Sequence, residues 1–69
     1  MPNNYLSPIQ CSVIFALAEQ SLNKTEAAKR VFMSRAGIEY HIKKIFEGTG
    51  KNPTSFYDLV ELVKMAEEG

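Results

Sequence analysis

The residues predict an all-α fold, a compact four-helix bundle containing a helix-turn-helix motif. Apolar side chains recur at helical spacing in four stretches, and Ser or Asn stands at the head of each. No alternating β-branched run bounded by hairpin turns interrupts them. Repeats and low-complexity tracts are also absent. The 69 residues read as one domain, 1–69, and a domain of that size buries only about 60% of the surface its unfolded chain exposes. A small helical core fits within that limit; a deep substrate cleft does not.

The first helix is expected over 8–20. Ser7 caps it, Pro8 takes the first position, where a missing N–H costs nothing, and Gln10 completes a capping box. Ile9, Val13, Ala16 and Leu17 form its stripe, widened by Ile14 and Phe15. Asn23 opens a second, short helix over 24–32, with Glu26 placed for another capping box and Ala27, Ala28 and Val31 facing inward. Small residues there let a neighbouring helix come close, as a tight crossing requires. Ser34 caps the third, expected over 35–47, whose stripe is Ile38, Ile42 and Ile45 with Phe46 beside them; Gly48 and Gly50 are its candidate terminators. Asn52 and Pro53 begin a fourth over 53–67. Phe56, Leu59, Val60 and Val63 make its first stripe, and Leu62 and Met65 lie off it, so this helix is apolar over more than half its circumference.

Composition excludes several classes. The single cysteine, Cys11, rules out an internal disulfide framework and any multi-thiolate metal site, and reads as a small packed residue. The longest apolar run, 13–18, is far short of the ~20 residues needed to cross a bilayer, and the N-terminus does not read as a signal peptide; no membrane partner and a cytoplasmic location are expected. His41 has no second histidine to share a metal and is expected at the core edge or near a phosphate. Paired carboxylates, a nucleophile–base arrangement and a phosphate loop are not seen, so no enzyme activity, cofactor or metal is expected.

Net charge is zero, but its distribution is uneven. Seven of the eight cations lie between Lys24 and Lys51 with only three acids, a net +4, and the flanking segments carry −4. A basic middle between acidic ends suits a molecule with one DNA-facing side. With Ile38, Ile42 and Ile45 turned to the core, the third helix offers its opposite face to a major groove about 12 Å wide. The expected DNA-binding set is Lys24 and Thr25 at the start of the second helix with Ser34, Arg35, Ala36, Glu39, Tyr40, Lys43 and Lys44. Arg35 suits a guanine edge or a phosphate, Glu39 a cytosine amino group, and Tyr40, Lys43 and Lys44 the backbone phosphates that set register.

The run Glu26-Ala-Ala-Lys-Arg-Val-Phe-Met-Ser-Arg35, then Ile38-Glu-Tyr-His-Ile-Lys-Lys-Ile45 and Thr49-Gly50, resembles the C-terminal helix-turn-helix of the PucR and CdaR families of bacterial transcription regulators over roughly residues 13–66. Leu6-Ser7-Pro8, Ser34 and His41 are also similar to the LuxR-type DNA-binding domain. Where the PucR-type pattern has Asn-Thr after its Arg, this chain has Ala36-Gly37. Either resemblance implies a helical domain that binds duplex DNA, commonly as a dimer or within a larger regulator. The expected function is therefore sequence-specific binding of double-stranded DNA by a small, nucleoid-associated transcription regulator. The competing reading is a protein–protein interaction module of the same shape. A homodimer through 53–67, using Tyr57, Leu62 and Met65, is also expected.

Overall fold

The computed structural model describes residues 6–68, which form four helices and no strand: α1 (Pro8–Glu19), α2 (Lys24–Arg30), α3 (Arg35–Thr49) and α4 (Phe56–Glu68). The all-α architecture is as expected. Core packing centres on α1, whose backbone lies close to those of α2, α3 and α4; α2 and α3 are also close, whereas among the described residues the backbone of α4 comes close to that of α1 alone. Val13, Ile14, Ala16 and Leu17 supply the α1 contribution, Ala27 and Ala28 that of α2, Ile38 and Ile45 that of α3, and Leu59 and Leu62 that of α4.

Local chemistry accounts for the helix starts. Ser7 accepts from the Gln10 amide at 3.2 Å while the Gln10 side chain accepts from the Ser7 amide at 3.1 Å, a complete capping box. Asn23 caps α2 by accepting from the Glu26 amide at 3.2 Å. The reciprocal half of the second box does not form, because the Glu26 carboxylate turns to Lys29 instead. Ser34 caps α3 by accepting from the Gly37 amide at 3.0 Å.

Two of the helix ends use left-handed residues other than glycine. Beyond α2, Phe32 adopts φ 58°, its amide donates to the Lys29 carbonyl and the Met33 amide to the Ala28 carbonyl. This is the Schellman pairing with a phenylalanine in the usual glycine position. Beyond α1, Ser21 and Leu22 both have positive φ and the Leu22 amide donates to the Leu17 carbonyl, five residues back. At the end of α3 the left-handed residue is a glycine, Gly50, whose amide donates to the Phe46 carbonyl.

Boundaries differ from expectation in instructive ways. Helices α1 and α2 stop at Glu19 and Arg30, where these reversals begin, and α3 continues through Gly48 to Thr49. Helix α4 begins at Phe56 rather than 53. Asn52 spends its side-chain oxygen on the amide and hydroxyl of Thr54, its carbonyl accepts from the Ser55 amide, and Pro53 is buried in the resulting turn. The helix then starts afresh, with the Leu59 amide donating to the Ser55 carbonyl.

The α4 stripe is also displaced. Leu59, Leu62 and Ala66 are buried, Val63 is half-buried, and Phe56 and Val60 face solvent. Because α4 has one helical neighbour, it can bury only one of its two apolar stripes, and α1 takes the one centred on Leu62. The same topology leaves the C-terminal part of α3 less covered than expected: Ile38 and Ile45 are buried, Ile42 is half-buried and Phe46 is 50% exposed. Ile9, expected in the core, is 40% exposed, and Val31 is half-buried.

Candidate nucleic-acid interface

The cap at Ser34 and the anchors Ile38 and Ile45 fix how α3 is rotated against α1 and α2. Arg35, Ala36, Glu39, Tyr40 and Lys43 lie exposed along its outer side, Tyr40 at 58%, and Lys44 is exposed at the flank. Of the nine residues expected to meet DNA, only Lys24 is half-buried; the other eight are exposed.

Residues ten and more apart in sequence meet where α2 and α3 begin. Arg35 donates through Nε to Glu39 Oε2 at 3.0 Å and through Nη1 to the Thr25 hydroxyl at 3.1 Å. Lys24 Nζ stands 3.9 Å from the same Glu39 oxygen. Two cations thus share one carboxylate oxygen, leaving the trio with a single net positive charge. Lys24 and Thr25, expected at a helix start, do lie beside Arg35 and Glu39. Nothing in the spacing of 25 and 35 signalled that the Thr25 hydroxyl would hold the Arg35 side chain.

One turn further along, Lys44 Nζ lies 5.8 Å from the Tyr40 ring centroid and 3.7 Å from Glu47 Oε1. Lys43 makes no ion pair among the described residues. The His41 ring meets Tyr40 edge-on at 5.4 Å, and its Nδ1 is buried without a hydrogen-bonding partner. Ser34 spends one acceptor site on its cap, and its hydroxyl stays at the surface.

A second surface feature lies apart from these residues. An open groove of about 420 Å³ runs between α1 and the end of α2, lined by Ile9, Phe15, Val31 and Phe32, with Glu19 and Arg30 ion-paired at its edge. Phe32 is 97% exposed. Of the residues expected to pair two copies, Tyr57 is 84% exposed, but Leu62 is fully buried against α1 and is removed from any such surface; Met65 is half-buried.

Among the described residues no three His, Cys, Asp or Glu side chains are grouped to hold a metal ion, and no helix is long and apolar enough to cross a membrane. Comparison with protein-family models, with curated proteins and with solved structures finds no match to this chain.

Proposed function

We propose that the chain binds double-stranded DNA, with α3 entering the major groove and α2 crossing the backbone beside it as the first helix of a helix-turn-helix. One observation carries the reading: α3 is anchored from beneath by Ile38 and Ile45 while Arg35, Tyr40, Lys43 and Lys44 remain on the surface, beside Lys24 and Thr25 of α2. Fifteen residues give α3 a length of about 22 Å, enough to follow a groove across a half-site. The resemblance of residues 26–50 to the PucR and CdaR regulators supports the same assignment, and with it a role in transcription at the bacterial nucleoid. One such unit makes few contacts, so two copies engage two half-sites, using Tyr57 with the neighbouring exposed Phe56 and Val60.

The test is fluorescence anisotropy on labelled duplex over a series of salt concentrations. Wild type binds at low salt with log K falling linearly in log salt. Lys43→Ala weakens binding to every duplex and flattens that slope by about 0.9, the value of one phosphate contact. Lys44→Ala does less, since Lys44 is already paired with Glu47. Wild-type slope in both variants removes α3 from the interface. A second reading, a protein-interaction module, is favoured by the apolar groove at Ile9, Phe15, Val31 and Phe32. It predicts no retention of the chain on heparin or nonspecific duplex at low salt.

A further inference from the structure

An exposed arginine on a helix ordinarily samples many rotamers and meets any nearby phosphate as a mobile charge. Arg35 does not have that freedom. Its guanidinium plane is held at two points from two helices, by Glu39 one turn along α3 and by Thr25 on α2. Of its five N–H donors two are engaged, and Nη2 has no partner among the described residues. Three N–H donors, one on Nη1 and two on Nη2, therefore remain free on an exposed guanidinium that is already held in place, with part of the ordering cost met before any ligand arrives.

Charge then decides which ligand suits it. A phosphate approaching Arg35 is also repelled by the Glu39 carboxylate, so Arg35, Lys24 and Glu39 together attract it with one net positive charge in place of two. A neutral base edge with two acceptors suffers no such repulsion, and guanine presents one in the major groove through O6 and N7. We propose that Glu39 is a positioning residue for base recognition: it pins Arg35 to read a guanine, and it offsets one of the two positive charges that would bind phosphates indiscriminately. Sequence preference is obtained at the expense of general affinity. The inference rests on the DNA-binding reading of α3 and adds to it the base class read and the residue that enforces the choice.

The experiment selects sites from a random duplex library with wild-type protein and then measures binding of Glu39→Ala, Arg35→Ala and the double variant to the selected site and its single-base changes. Wild type prefers G·C at one position by about tenfold or more. Glu39→Ala loses that preference while binding random duplex more tightly at low salt, with a slope steeper by about 0.9. Arg35→Ala loses the same preference, and adding Glu39→Ala to it changes no base preference further. Glu39→Gln, which keeps an acceptor without the charge, restores part of the preference but not the low general affinity. Helicity measured by circular dichroism verifies that each variant is folded.

Retention of the full preference by Glu39→Ala overturns the proposal. So does a further change of base preference in the double variant, since Glu39 then reads a base directly. Salt-dependent binding with either of these results leaves the proposed function standing. Absence of salt-dependent binding by wild type overturns both.

Discussion

At His41 a buried ring nitrogen, Nδ1, goes without a hydrogen-bonding partner, and a buried polar atom in that state costs about 1–3 kcal/mol of desolvation. His41→Phe keeps an aromatic ring against Tyr40 and removes the nitrogen. We expect it to stabilise the fold by about 1 kcal/mol, a rise in melting midpoint of roughly 4–8 °C for a domain of this size, read by thermal denaturation. Phe32 offers a second test. Its left-handed backbone costs a residue with a Cβ about 1–2 kcal/mol, and its side chain, almost wholly in solvent, loses little when replaced. Phe32→Asn, which tolerates that conformation, should raise stability by about 0.5–1 kcal/mol in urea melts. At this scale the sequence was informative where chemistry is local: Ser7, Asn23 and Ser34 cap as their types require, and Ile38 and Ile45 are buried. It was uninformative where a partner comes from elsewhere in the chain, as with Thr25 holding Arg35 or Leu62 lying under α1.

Helix boundaries depend on which nearby group satisfies the backbone first. Two glycines stood as candidate stops for α3, and only their conformations separate them: Gly48 is helical with open space where a Cβ would go, whereas Gly50 sits at φ 75° and ends the helix. Gly48→Ala should therefore stabilise the protein by about 0.5–1 kcal/mol through helix propensity, and Gly50→Ala should destabilise it by about 1 kcal/mol through left-handed strain. Equal effects from the two changes would contradict this assignment of the stop. The start of α4 was misplaced for a related reason. Asn-Pro is a fair helix opening in isolation, but the Asn52 side-chain oxygen accepts from Thr54 and the Asn52 backbone N–H donates to the Asp58 carboxylate at 2.9 Å, which builds a turn before the helix. Periodicity alone gave α4 two apolar stripes; the choice between them depends on its neighbours.

For the whole molecule, the number of helices and their order were legible because each has its own apolar stripe and the first three have their own caps. Their arrangement was not, because pairing is decided by shape and by loop reach. Leu17 is fully buried on α1, the helix that lies close to the other three, and Leu17→Ala should cost about 2–5 kcal/mol, much of the stability expected of a 69-residue domain, with one cooperative loss of all helical signal. Leu62→Ala should instead give a melt in which part of the helical signal is lost early. The α2–α3 pair, which carries the candidate interface, keeps its backbone apart from that of α4 among the described residues.

That α4 leans on a single neighbour, while α1 is enclosed by three, also sets a timetable for isotope uptake. In heavy water the amides of α4 should take deuterium through small openings that leave the rest of the molecule intact, and those of α1 only when everything opens at once.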